Sequence, residues 1–215
     1  VYKNNPEFIN KYFAKYAEIE NGFVALNTAF ANDGVVIYVP ENIILDKPVM
    51  TLNLAGSGEV NVLSQPRTLV VAGKNSKLDL VELFHSIADN ETLTNSVSEI
   101  IVGENAHVEV YKIQNENLKG YHYNRTQSHL AKNSIFTIYN VTLGGLLIRN
   151  DSNVVLDDEN CTGNLFGLYL TDGEQHVDNH TLIDHAKPHC QSNELYKGVL
   201  DGKSRGVFNG KVFVR

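Results

Sequence analysis

The chain is poor in cysteine, in long apolar runs and in positive charge, and each shortage excludes something. Two cysteines in 215 residues, Cys161 and Cys190, are too few for a disulfide framework. They could pair, but two reduced thiols of a cytosolic protein are the simpler reading. The longest apolar runs hold about five residues, as in Val35-Val36-Ile37-Tyr38-Val39, whereas a membrane-spanning helix needs about 20. No basic-then-apolar stretch opens the chain, so no secretory signal is visible. Lys and Arg number 18 against 25 Asp and Glu, a formal net charge of −7. A protein that coats nucleic acid by bulk charge needs the opposite sign.

What remains is a globular composition, 42% hydrophobic and 20% charged. A chain of this length buries roughly 70% of its unfolded surface. It begins at Val1, has a single methionine, Met50, and stops inside the strand-like run Lys211-Val212-Phe213-Val214-Arg215. It is therefore expected to be a piece of a longer protein. Two regions are expected: a helical segment over 1–33 and an all-β region over 34–215.

Asn5-Pro6 is a helix start, with proline where its missing N–H costs nothing. Phe8, Ile9, Tyr12, Phe13 and Tyr16 follow on one helical face. A second short helix is expected from about Gly22, with Asn32-Asp33-Gly34 ending it and Gly34 as a left-handed cap. Beyond Gly34 the helical period vanishes. Short apolar runs follow: Val35–Val39, Ile43–Leu45, Val49–Leu54, Val60–Leu63, Thr68–Val71, Leu78–Phe84, Val97–Val102 and Val108–Ile113, parted by turn residues.

These runs repeat. Val70-Val71-Ala72-Gly73-Lys74-Asn75-Ser76-Lys77-Leu78-Asp79-Leu80 matches 100–110, and Leu130-Ala131-Lys132-Asn133-Ser134-Ile135-Phe136-Thr137-Ile138 repeats the pattern again. A weaker copy spans 149–156. The shared rule is an apolar strand, a turn of Asn then a small residue, and an apolar-polar-apolar strand. Self-similarity at this period, with strands and tight turns only, points to a right-handed parallel β-helix preceded by two short N-terminal helices. Val108, Val110, Phe136 and Ile138 should point into it, and the helices should cover an open end. An antiparallel sandwich is the competing architecture.

The densest polar cluster is 175–190, with His176, His180, His185, His189 and Cys190. His and Cys are ligands of zinc and softer metals. The spacing fits no specific zinc motif, and the competing reading is a polar strand face with hydrogen-bonded histidines. His185, His189 and Cys190 are the weak metal candidates. Asp157-Asp158-Glu159 reads as a solvated turn, and Gly144-Gly145 and Asp201-Gly202 as turn glycines rather than phosphate cradles. No nucleophile elbow, phosphate loop or HExxH occurs. The Asn-x-Ser/Thr triplets at Asn90, Asn124, Asn140, Asn150, Asn160 and Asn179 read as turns and coil corners.

The C-terminal third carries a resemblance. Asp184-His185, then Ser192-Asn193-Glu194-Leu195-Tyr196-Lys197-Gly198-Val199-Leu200, then Ser204-Arg205-Gly206-Val207-Phe208-Asn209-Gly210-Lys211 resembles the SufD family, with Phe-Asn-Gly-Lys favouring it over its SufB paralogues. Asn27-Thr28-Ala29-Phe30, Asp33-Gly34 and Ile37-Tyr38-Val39-Pro40 resemble that family's entry into its solenoid. The resemblance implies a non-catalytic, cytoplasmic scaffold subunit of the SUF iron–sulfur cluster assembly system. It implies a SufB/SufD-type β-helix that pairs with a SufB-like paralogue. A SufC-like ATPase would dock on a C-terminal region beyond the β-helix, and the full complex would handle the cluster. The family's Cys-x-His motif lies beyond Phe-Asn-Gly-Lys, so no cluster ligand is assigned here and no cofactor is expected on this chain. Val207, Phe208, Asn209, Val212 and Phe213 are the candidate partner interface. A homodimer through the β-helix edges is a further expectation, and neither nucleic acid nor membrane insertion is expected. Two other readings stay open: a β-helical carbohydrate-active enzyme such as a polysaccharide lyase, and a stand-alone metal-binding protein using the histidine-rich segment.

Overall fold

The turn of Asn plus a small residue is the unit from which the fold is built. In the computed structural model, which describes residues 5–32, 34–56, 60–87 and 89–215, Asn42, Asn75, Asn105, Asn133 and Asn160 all have φ between 56° and 63°. Asparagine is one of the few side chains that tolerates this left-handed conformation. Stacking the corners also pairs the amides: Asn75 donates to Asn42 Oδ1 at 2.8 Å, Asn105 to Asn75 at 3.0 Å, and Asn133 to Asn105 at 3.0 Å. His189 takes the same place in the next corner, at φ 63°.

Among the described residues two short helices, α1 (Pro6–Tyr12) and α2 (Gly22–Phe30), precede fourteen strands. The strands are β1 (Gly34–Val39), β2 (Val49–Ala55), β3 (Val62–Ser64), β4 (Arg67–Ala72), β5 (Lys77–Ser86), β6 (Thr92–Val102) and β7 (His107–Asn115). Then come β8 (Gly120–Leu130), β9 (Ile135–Thr142), β10 (Leu147–Leu156), β11 (Thr162–Thr171), β12 (His176–His185), β13 (Gln191–Leu200) and β14 (Arg205–Val214). Sheet A runs β1-β4-β6-β8-β10-β12-β14, with β3 also on β6; sheet B runs β13-β11-β9-β7-β5-β2. Every pairing among the described strands is parallel, which excludes the sandwich. The chain is a two-sheeted parallel solenoid of about 6 turns.

The register follows the repeats: Val70 pairs with Ile100 and Val102 with Leu130. Two readings need correction. The weaker copy over 149–156 lies wholly inside β10, and its corner comes later, at Asn160-Cys161. Its alternation of polar residues imitates a turn, but Asn150 and Ser152 face inward and are buried. The run 43–45 contributes only a bridge between Ile44 and Lys77.

Successive strand residues face opposite sides. One side lines the lumen. Val70, Leu78, Leu80, Ile100, Val108, Val110, Leu130, Phe136, Ile138, Val154, Leu156, Leu165 and Ile183 form a continuous apolar column there. Val108, Val110, Phe136 and Ile138 are each 0% exposed, as their phase requires. The other half of the lumen is polar. Lys112 Nζ sits 3.1 Å from Glu82 Oε2 and donates to Asn124, Ser98 and Thr126. His122 bridges Glu116 and Ser96, at 2.8 and 2.9 Å. Asn150 bonds Asn179 and Gln114. Asn124, Asn140, Asn150 and Asn179 are buried lumen residues rather than corner residues: Asn124 accepts from Ser96 and Lys112, Asn140 donates to Ser152, and Asn150 donates to Asn179 in the next coil. Only Asn160 of the triplet asparagines named above stands in the left-handed corner ladder.

The helices do not cover an open end. They lie on the outer face of sheet A, where Leu69, Val71 and Val97 would otherwise be exposed. Ile9 packs on Leu69 and Val71 with Phe8, Tyr12 and Phe13 around them, and Ala17 and Val24 pack on Val97. α1 stops at Tyr12, short of Tyr16, because buried Glu99 accepts the backbone N–H groups of Ala14, Tyr16 and Ala17 at 2.8 to 3.0 Å. Glu99 also takes Arg67 Nη2 at 2.7 Å, and Arg67 donates onward to Asn27 and Thr28. Asn21 caps α2, accepting from Phe23 and Val24. Asp33 lies outside the described residues, and Gly34 opens β1 rather than capping α2; a side chain there would meet Arg67 O at 2.5 Å.

Candidate functional site

The five candidate interface residues all fall on β14, the last strand of sheet A. β14 pairs with β12 on one side and with no described strand on the other. All ten of its residues are exposed. Such a strand presents a row of unpaired N–H and C=O groups, a template for another strand.

The pleat divides the five. Phe208 pairs with Asn179 and Val212 with Ile183, both buried lumen residues, so Phe208 and Val212 face the lumen. Val207, Asn209 and Phe213 pair with Asp178, His180 and Asp184 and face outward. They are brought together as one edge but not as one patch.

The lumen beneath this edge is filled by aromatics set against glycines. Gly167 pairs with Tyr196, and Tyr169 with Gly198. A side chain at Gly167 would collide with the Tyr196 ring, and one at Gly198 with Tyr169. Tyr196 and Phe208 have ring centroids 4.8 Å apart. Asn140 donates to Tyr196 Oη at 3.3 Å, and burial pushes the Tyr196 hydroxyl pKa up to about 12. The family resemblance over Ser192 to Leu200 assigns no role to Tyr196 or Gly198. The large-small exchange between 167–169 and 196–198 was the available signal.

The outward side of the edge is charged. Arg149 bridges Asp151 and Asp178, and these carboxylates raise its pKa against the opposing effect of burial. His180 Nε2 lies 3.0 Å from Asp178. Arg215 donates to both oxygens of Asp184, at 2.8 and 3.1 Å, and that pairing raises its pKa. The outer face of sheet B differs: Tyr111 and Tyr139 stack at 4.7 Å, and Phe166 follows at 5.4 Å.

The metal candidates take separate places. His185 Nε2 bonds Ser192 Oγ at 3.0 Å, His189 is an exposed corner residue, and Cys190 is half-buried beneath the corner. Among the described residues no group of three or more His, Cys, Asp or Glu is placed to hold a metal ion. The turn carboxylates are used locally: Asp157 pairs with His129, and Glu159 lies 3.9 Å from Lys132. Gly145, Gly173 and Gly202 have φ of 88°, 59° and 63°, which is the conformation of turn glycines. Among the described residues no helix is long and apolar enough to cross a membrane.

Residues 54–215 match the family described as SUF system FeS cluster assembly, SufBD core domain, and residues 1–51 match the SufBD protein N-terminal region. An iron–sulfur cluster assembly SufBD family protein of Synechocystis sp. is 30% identical, covering 97% of this chain and 48% of that protein. The iron–sulfur cluster assembly protein SufD of Escherichia coli is 29% identical over 77% of this chain and 38% of its own length. A SufBD family protein of Staphylococcus aureus is 28% identical over 98% of this chain and 45% of its own. The chain belongs to the SufBD family of the SUF iron–sulfur cluster assembly system. It spans about half the length, or less, of these curated relatives.

Proposed function

We propose that this chain is the β-helix part of a non-catalytic, cytoplasmic scaffold subunit supporting iron–sulfur cluster assembly. The reading is supported by family membership: residues 54–215, which form most of the parallel solenoid, match the SufBD core domain. Its partner is a SufB-like paralogue that adds to the β14 edge through main-chain hydrogen bonds. Phe208 and Val212 would be covered from the lumen side, and Val207, Asn209 and Phe213 would contact the partner's outer face. A SufC-like ATPase binds a region that follows the β-helix in the family, and the iron–sulfur cluster is cargo of the full complex rather than a resident of this chain.

The test is co-expression of the tagged chain with a SufB-like paralogue, read by affinity recovery and sedimentation. A stoichiometric complex is expected, lost when Val212→Pro removes a backbone donor on the β14 edge that faces away from β12. A chain that stays monomeric beside the paralogue, or pairs only with itself, overturns the reading.

A further inference from the structure

In the corner ladder, the residue after the left-handed position is Ser76, Ala106 and Ser134 in successive coils, then Cys161 and Cys190 in the next two. Ser76 and Ser134 return their hydroxyls to corner carbonyls. The cysteines do something different. Thr162 pairs with Gln191, and Gln191 N–H donates to Cys161 O at 2.9 Å, so the two cysteines sit one above the other. Their sulfurs converge on one atom: Cys161 Sγ and Cys190 Sγ each lie 3.1 Å from the carbonyl oxygen of Asp158. Neighbouring strands are spaced by about 4.8 Å, inside the Cα separation of about 4.4–6.8 Å that a disulfide bridges. Cys190 is half-buried and Cys161 fully buried.

We propose that Cys161 and Cys190 form a thiol pair that closes to an intramolecular disulfide by exchange with a small-molecule disulfide. The more accessible Cys190 thiolate attacks one sulfur of the small disulfide, forming a mixed disulfide and releasing one small thiolate. Cys161 thiolate then attacks Cys190 Sγ, the Sγ–Sγ bond forms, and the second small thiolate leaves. The two protons lost by the cysteines go to the two released thiolates, and the small disulfide is the species reduced. Burial, with Cys190 adding to it, holds the Cys161 thiol above its ordinary range, which makes it the slower, resolving partner. The bond ties the coil of β11 to that of β13. The inference stands on the two sulfurs and their common acceptor, independent of any partner at β14.

The test incubates the folded chain with oxidised and reduced glutathione in graded ratios, quenches by alkylation and weighs the intact protein. The expected oxidised form has lost two hydrogens and carries no alkyl group, and non-reducing peptide maps join 161 to 190 within one chain. Cys161→Ser should trap one glutathione on Cys190 that persists. Full alkylation of both thiols at every ratio overturns the proposal, as does a stable mixed disulfide on the unsubstituted chain or a bridge between two chains. The peptide map of the unsubstituted protein decides the matter if the variant fails to fold.

Discussion

Phe136 and Phe208 are both lumen-facing phenylalanines, yet one is 0% and the other 46% exposed. Phe136 lies on β9, with β7 on one side and β11 on the other; Phe208 lies on β14, with a neighbour on one side only. A solenoid coil contributes only half of its own burial, and its neighbours supply the rest. The central strands have neighbours on both sides, and β14 has a described neighbour on one side only.

The largest expected effect breaks the central coils. Lys112→Ala leaves Glu82 buried without its cation and should cost about 3–5 kcal/mol, measured by chemical denaturation. Replacing both residues together, Glu82→Leu with Lys112→Met, should restore much of that loss. A double variant as weak as the single one would show that the pair is not the cause. Next comes the phenylalanine comparison itself. Phe136→Ala should cost about 3–5 kcal/mol through its cavity, while Phe208→Ala, already half in water, should cost under about 1 kcal/mol and act instead on partner recovery. Equal losses at the two sites would put β14 in a buried setting and remove the contrast.

The smallest effect concerns acid. Burial works to raise the Glu99 pKa, but Arg67 and the backbone donors of Ala17 and Tyr16 outweigh it and hold the carboxyl below its ordinary value of 4.5. Glu116 is lowered similarly, with His122 and Thr94 overcoming its burial. A lowered folded-state pKa gives stability that is present above the ordinary value and is lost as pH falls through the folded one. Acid should therefore release the N-terminal helices from sheet A below about pH 4.5. In Glu99→Gln this dependence should be flattened. Helix docking that is insensitive to pH over that range, read by hydrogen exchange at Val24 and Asn27, would contradict it.

The sequence made much of the architecture legible. Asparagine before a small residue is a local signal for a left-handed corner, and its recurrence placed Val70 on Ile100 and Val102 on Leu130. It misled at 149–156, where inward amides resembled a corner. The phase of β7 already placed Lys112 in the lumen with Val108 and Val110, and the repeat placed it beside Glu82. A charge in an inward position was passed over because its partner is 30 residues away. The edge residues were found through a family signature. Their division between lumen and outer face needed the register with β12.

Period, corners and lumen phase were therefore determined by the sequence itself, because each depends on residues within one coil and on backbone geometry. The docking of the helices on the flank was decided only in the tertiary structure. Glu99 reaches Ala14, Tyr16, Ala17 and Arg67 across 32 to 85 positions of chain. The convergence of Cys161 and Cys190 on one carbonyl was decided there too. Both are contacts between coils or across the sheet, and a contact between distant residues exists only once the coils have stacked.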